Sequence, residues 1–320
     1  MNVAQLSAQT SKPTAKRSGN VFVRYFRQWD IQLMVWPGLL LIFTFSYIPM
    51  YGILTAFKDY NILKGFADSP WVGFKHFQDF FSNHDFAHVM RNTIIIALLK
   101  LAIGFPAPII LALMLNEVRH AFFKRLVQSV TYLPYFLSWV IVAGIVISIL
   151  SVDNGSINMA LQGVGLIDSP INFLSIPQYF WTILITTNVW KEVGFGSIVF
   201  LAAIAGIDPH LYEAAEIDGA SKFKMMFLIT LPSIMPVVVI FLILAIGNLL
   251  SAGFEDILLL AKNPLLRGVS DVIDTYVYRI GIENMRYSFA TAIGLFKAVI
   301  SVILLVIANQ AARRSGNSLW

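Results

Sequence analysis

The chain has 320 residues, of which 57% are hydrophobic and only 13% charged, against roughly a quarter charged in ordinary soluble domains. A soluble domain of this length cannot hide that much apolar surface, so composition alone predicts an all-α membrane protein that crosses the bilayer several times. The absence of cysteine excludes disulfides, zinc fingers, iron–sulfur clusters and thiol catalysis, and the net charge of +5 matters less than where it lies.

In chain order, the first 19 residues are polar and rich in Ser, Thr, Lys and Ala, which predicts a disordered tail. Val21 to Asp30 mixes aromatics with Arg24 and Arg27. It reads equally as an interfacial segment and as an aromatic belt before the first span. The first apolar run is too late and too long for a signal peptide. A spanning helix needs about 20 apolar residues. Six stretches qualify, at 33–57, 92–115, 127–151, 179–205, 233–254 and 288–311. Prolines 37, 49, 106, 108, 134, 232 and 236 fall in or at the ends of these spans, where they bend or start helices. They carry no function by themselves.

Orientation follows from Lys and Arg in alternate loops. One side holds Lys12, Lys16, Arg17, Arg24, Arg27, Arg119, Lys124, Arg125, Lys222, Lys224, Arg313 and Arg314, 12 basic residues against six acidic. The other side holds eight against 11, and residues 152–176 contain no basic residue. Both termini are therefore expected in the cytoplasm, in agreement with an even number of spans.

The fourth loop then falls in the cytoplasm. It carries Glu213-Ala214-Ala215, two further residues, Asp218-Gly219-Ala220, and later Ile229-Thr230-Leu231-Pro232. Asp208 suits an N-cap and Pro209 a first helical turn. Gly219 can take positive φ, so that one helix stops and a second turns away. Helix, glycine and helix form a knob that fits a cleft in another protein. No stretch fits Gly-x-x-x-x-Gly-Lys-Ser/Thr, so the sequence offers no phosphate-binding loop for ATP.

Charges inside spans cost roughly 2.5–3.5 kcal/mol each and usually face a cavity or a partner. Lys100 can snorkel or face protein. Lys191 and Glu192 are adjacent and point roughly 100° apart on a helix, so they cannot simply neutralise each other. Lys297 lies too deep to snorkel. Asn248 and Ser251 fall one turn apart in the outer half of the fifth predicted span. Three positive groups and one negative one predict a pathway suited to an anionic substrate. Trp181, Trp190 and Phe254 are available to stack on sugar faces, although belt or packing roles are commoner for such aromatics. Trp190, Lys191, Glu192, Asn248, Ser251, Phe254 and Lys297 are the expected pathway residues. His84 and His88, spaced i, i+4, have no further convergent ligands in the sequence, and no metal site is expected. No triad or paired carboxylates with a pocket appear, so no enzyme is expected.

The Glu-Ala-Ala loop resembles that of membrane subunits of binding-protein-dependent ABC importers. One local departure is Met226, where the pattern has phenylalanine, with Phe227 next. Tyr47-Ile-Pro-Met-Tyr-Gly52, Ala56-Phe-Lys-Asp-Tyr-Asn61, Gly104-Phe-Pro-Ala-Pro-Ile109, Leu115-Asn-Glu-Val118, Tyr132-Leu-Pro134, Ile273-Asp-Thr-Tyr-Val-Tyr-Arg279 and Tyr287 to Lys297 look like the polysaccharide branch, often called LplB-type. The resemblance covers nearly all of 31–314. It implies a MetI-like core over 86–311 with a coupling loop at 208–232, preceded by a cytoplasmic tail and interfacial segment (1–30), a first span (31–57) and a periplasmic loop (58–85), and followed by a cytoplasmic end (312–320). It also implies an inner-membrane location, a second and different permease subunit, two ATPase subunits that carry ATP and Mg, and a solute-binding protein. No cofactor is implied in this chain, and no nucleic-acid partner. The implied substrate is an oligosaccharide or polysaccharide, with an acidic, alginate-like sugar favoured by the charge count. Glu213, Ala214, Ala215, Asp218, Gly219, Ala220, Ile229, Leu231 and Pro232 are the implied coupling residues. The alternative is a secondary carrier driven by an ion gradient. It needs paired acidic residues at mid-membrane, where only Glu192 is available, and inverted repeats are not evident.

Overall fold

The structure is a computed structural model that describes residues 28–314, 316, 318 and 319. The tail and the interfacial segment up to Arg27, with the basic residues they contribute, lie outside the described residues. The chain divides into two units, Met1–Ile53 and Leu54–Trp320.

All regular structure among the described residues is helical, apart from two isolated bridges, Lys58 with Trp71 and Asn61 with Gly65. Five helices are long and apolar enough to span: α1 (Trp29–Phe57), α3 (Phe86–Glu117), α7 (Pro177–Ala205), α9 (Lys222–Gly247) and α13 (Tyr287–Arg313). A sixth span exists if α4 (Ala121–Phe136) and α5 (Trp139–Ile149), bent by 105° at their junction, are taken as one. Shorter helices complete the chain: α2 (Lys75–Ser82), α6 (Ser156–Gly163), α8 (Pro209–Ile217), α10 (Glu255–Leu260), α11 (Arg267–Ser270) and α12 (Ile273–Tyr278). In the first unit, no side chain of Trp29–Ile42 is buried.

Two of the sequence expectations need correction. The predicted span 127–151 is not one continuous helix. Pro134 starts a short 3₁₀ turn, and Leu137 and Ser138 are extended, which ends the first helix. Ser138 then caps the second helix, accepting from the Ile141 N–H. The predicted span 233–254 ends at Gly247, so Asn248, Ser251 and Phe254 lie beyond it. Elsewhere the helices run longer than predicted. In α3, Pro106 lacks an N–H, and the turn before it loosens so that Phe105 N–H donates to Lys100 O at 3.1 Å.

Between helices in lipid, close packing of small residues and hydrogen bonds replace the hydrophobic drive. The second unit has three buried clusters. Ile109, Ala112, Phe200, Ile204, Ile234 and Val238 join α3, α7 and α9. Ile96, Ala143, Leu184, Ile257 and Val272 join α3, α5 and α7 to the segment 255–283. Phe80, Val89, Tyr276, Phe289 and Ile293 join that segment to α2, α3 and α13.

The break between α4 and α5 docks on α7. A Cβ at Gly194 would stand 2.0 Å from the Thr131 carbonyl oxygen, which is backbone and cannot swing aside. The next turn seals the contact, with the Tyr135 and Phe195 rings stacked at 3.9 Å. Gly194→Ala is therefore expected to destabilise the protein by about 1–3 kcal/mol through overpacking. Gly144→Ala, where nothing lies within 4 Å, is the neutral control. Thermal unfolding in detergent reads both, and equal midpoints for the two variants would contradict the docking.

Candidate functional site

The loop 208–232 folds as a capped helix followed by a sharp reversal. The Asp208 carboxylate accepts from the His210 N–H at 3.0 Å, and the Glu213 carboxylate pairs with the His210 ring at 3.1 Å. At the other end Gly219 has φ +74°, Gly219 N–H donates to Glu216 O, and Ala220 N–H donates to Ala215 O at 2.9 Å. This pair of bonds is a Schellman ending, which favours glycine at the left-handed position. Ser221 caps the following helix, and the Tyr212 and Thr230 hydroxyls meet at 2.9 Å to tie the two limbs together. Lys222 reaches Glu117 at the end of α3, at 3.5 Å.

Glu213, Ala214, Asp218 and Gly219 are exposed, and Ala215 and Ala220 partly so. Ile217, 87% exposed, and Phe223, 70% exposed, stand beside them. Ile229 and Leu231 are different. They lie in the first turns of α9, and Leu231, like Met226, packs against the cluster around Ile109. Pro232 sits on the same helix, exposed. The loop thus presents a rigid polar-and-apolar knob whose return limb is anchored in the core.

The expected pathway residues do not form one site. Lys191 is buried at the broken span. Its ammonium donates to Tyr135 O at 2.8 Å and lies over the Tyr135 and Trp139 rings at 5.1 and 5.3 Å. The helix break leaves that carbonyl without its helical donor, and the lysine replaces it. Glu192 stands 3.9 Å from Lys191, so the two neighbours do approach each other, contrary to the helical-wheel argument.

Lys100 does not snorkel. It forms an ion pair with buried Asp256 of α10, under Gly253. Lys297 pairs with Asp274 of α12, and Arg279 with Asp271. The excess of positive charge inferred from the sequence therefore disappears, because Asp256 and Asp274 come from a segment counted there as a loop. A buried lysine in an apolar span requires a carboxylate, and that requirement was the signal available for finding them. In Asp271, burial holds the carboxyl above the usual carboxylate range, against the pull of Arg279.

Three grooves receive the remaining residues. Trp190 and Trp181 line one of about 490 Å³ with Leu99, Ile103, Thr182 and Thr186. Glu192 and Asn248 line another of about 490 Å³ with Phe105, Phe195 and Phe241. Asn248 continues into a third of about 160 Å³ with Lys100 and Ser251. Phe254 lines none of these and packs on Tyr278, at 5.3 Å between centroids. His84, Asp85 and His88 bring one donor atom each within 4.8 Å of one another, and Asp85 and His88 face each other at 3.7 Å.

A family profile described as the inner membrane component of binding-protein-dependent transport systems matches residues 104–316. Protein LplB of Bacillus subtilis is 47% identical over 284 residues, 89% of this chain and 88% of that protein. The polygalacturonan/rhamnogalacturonan transport system permease protein YteP of the same organism is 43% identical, over 92% of this chain and 91% of that one. A crystal structure of a bacterial alginate ABC transporter, in complex with a periplasmic protein bound to alginate pentasaccharide, superposes with a TM-score of 0.86 at 40% identity, over 94% of this chain and 99% of that one. The chain belongs to the inner membrane components of binding-protein-dependent transport systems. It is a multi-pass permease of the bacterial inner membrane, of the ABC importer type, and its resemblance to the LplB-type branch is borne out. A carrier driven by an ion gradient is thereby set aside.

The two adjacent residues of α7 are expected to behave differently. Lys191→Met leaves the half-buried Tyr135 carbonyl unpaired, a loss of about 1 kcal/mol. Glu192→Gln keeps the groove polar and should leave the unfolding midpoint nearly unchanged. Equal losses for both would mean that Lys191 does not hold the break.

Proposed function

We propose that this permease forms half of the translocation pathway of an ATP-driven importer for acidic oligosaccharides, and that it is driven through the loop 208–232 by a separate ATPase. The exposed knob supports this reading most directly. Glu213, Ala214, Asp218 and Gly219 cost nothing to the fold of the core, yet the loop is built to a fixed shape by two caps and a Schellman ending. A surface of that kind is what a docking partner reads. The sequence lacks a phosphate-binding loop of its own. ATP and Mg therefore belong to the partner, with this chain contributing no catalytic residue.

The full assembly in this reading has a second, different permease subunit, two ATPase subunits and a periplasmic or extracellular solute-binding protein. A MetI-like core spans 86–311. Both termini lie in the cytoplasm, on the side of the loop, in accord with the distribution of Lys and Arg and with the bent pair α4–α5 counted as one crossing. The acidic class of substrate rests on the relatives, one described as a polygalacturonan/rhamnogalacturonan transport permease and one from an alginate transporter crystallised with a periplasmic protein bound to alginate pentasaccharide. It does not rest on the embedded lysines, which are paired. Trp181 and Trp190, with Thr182 and Thr186 beside them, offer aromatic faces and hydroxyls to a sugar; Glu192, Asn248 and Ser251 offer polar contacts in the neighbouring grooves.

The test is affinity purification in mild detergent, followed by reconstitution. A separate ATPase should co-purify, and its hydrolysis should rise with saccharide-loaded binding protein. Gly219→Val has open space for its side chain but not the backbone freedom, at a cost of about 1–3 kcal/mol in strain. It should abolish the stimulation while leaving insertion intact. Gly219→Asn, which tolerates left-handed φ, should retain most of it. An ATPase that never co-purifies, or full stimulation in Gly219→Val, would refute the coupling role.

A further inference from the structure

We propose that the open cavity of about 290 Å³ lined by residues of α10, α11 and α12 binds one carboxylate-bearing saccharide unit, with Lys262 and Arg267 as its anion-binding residues. The proposal rests on the importer reading above and deepens it. It places the recognition of acidic sugar outside the spans.

Three cations line the cavity, Lys262, Arg267 and Arg279, together with Asp271 and Glu283. Arg279 is committed to Asp271 and stacks over Tyr276. Lys262 and Arg267 make no ion pair among the described residues, and both are exposed at the edge of the cavity. With three cations against Asp271 and Glu283 the lining is net positive, and Arg267 is a guanidinium able to grip a carboxylate with two parallel hydrogen bonds.

The rest of the lining suits a sugar. Tyr278 faces the cavity, its ring held by Phe254. An aromatic face of this kind packs against the apolar face of a pyranose, while the cations take its carboxylate. The volume lies at the small end of ligand pockets, room for a monosaccharide-sized unit of a longer chain.

The wall that carries Arg267 is also fixed in place. Gly268 O accepts from Asn92 at 3.1 Å and from Arg91 at 3.0 Å. Val269 O accepts from the Trp181 indole at 2.8 Å, and Asp271 O from Asn92 at 3.2 Å. On the other side of Arg267, Asn263 donates to Ser175 at 2.8 Å. The backbone of Arg267 thus stands between two anchored stretches. The same bonds join the cavity wall to α3 and α7. Trp181 itself lines the large groove described above, so the cavity and that groove share a hydrogen-bonded partition.

The experiment uses the permease–ATPase complex without binding protein, in nanodiscs of zwitterionic phosphatidylcholine, so that no anionic lipid headgroup competes. Saturation-transfer NMR compares digalacturonate with its neutral methyl ester. Digalacturonate should bind, more weakly as salt rises. The double substitution Lys262→Gln with Arg267→Gln should lower its affinity about tenfold. The methyl ester should bind no better to the native complex than to the double variant, and Arg267→Lys should retain part of the effect. Both residues are exposed, so the variants should fold, and the unfolding midpoint checks that they do. Digalacturonate binding that is absent, or unchanged in the double variant, overturns the proposal. So does a double variant that binds digalacturonate normally but docks the sugar-free binding protein more weakly, since the cations then serve protein contact. An ATPase that fails to co-purify refutes the importer reading instead, whatever the NMR shows.

Discussion

A charge buried in an apolar helix must be neutralised within the protein, because lipid offers neither water nor counterion. This constraint organises the second unit. Lys100 on α3 and Lys297 on α13 find Asp256 and Asp274 on the segment 255–283, and Arg279 and Asp271 pair within it. Hydrogen bonds reinforce the attachment. Thr93 accepts from the Ile273 N–H at 3.0 Å, Asn92 donates to Gly268 and Asp271 carbonyls, and Trp181 donates to Val269. A segment of three short helices, none able to stand alone, is thereby sewn to α3, α7 and α13.

The division of labour among charges follows. The lysines within spans are occupied: two by carboxylates, and Lys191 by the carbonyl that the break in α4–α5 leaves open. The large grooves are left with aromatic rings, hydroxyls, Asn248 and a single carboxylate at Glu192. Lys262 and Arg267, which make no ion pair among the described residues, stand on the segment 255–283, outside the spans. The proposed coupling knob follows the opposite rule. Its polar residues are exposed, and its rigidity comes from caps rather than from burial.

Much of this was legible in the sequence, for identifiable reasons. Long apolar runs announce spans, and five of the six predicted ones exist as helices. The knob was legible because its shape is local: Asp208, Pro209 and Gly219 act within a few residues, and the structure has the Asp208 cap and the positive φ at Gly219 expected of them, while the Ser221 cap was not foreseen. The break at 137–138 was half legible. Pro134 marked the place, but apolar content on both sides masked the 105° bend. The segment 255–283 was illegible. Its helices are too short for periodicity, and its decisive pairs join residues far apart in the chain, such as Lys100 and Asp256. Without those pairs the embedded lysines read as an unbalanced positive charge, which Asp256 and Asp274 offset.

These ion pairs hold the 255–283 segment to the spans. The direct measurement is a double-mutant cycle on Lys100 and Asp256, read by thermal unfolding in lipid nanodiscs. Lys100→Met alone should cost about 3–5 kcal/mol, because it leaves Asp256 charged, buried and unpaired. Asp256→Leu alone should also be destabilising, and the double variant should recover most of the loss, with a large coupling energy. Additive losses, or a Lys100→Met variant as stable as the native protein, would mean that the lysine does not hold the segment, and the charge within the spans would again need another role.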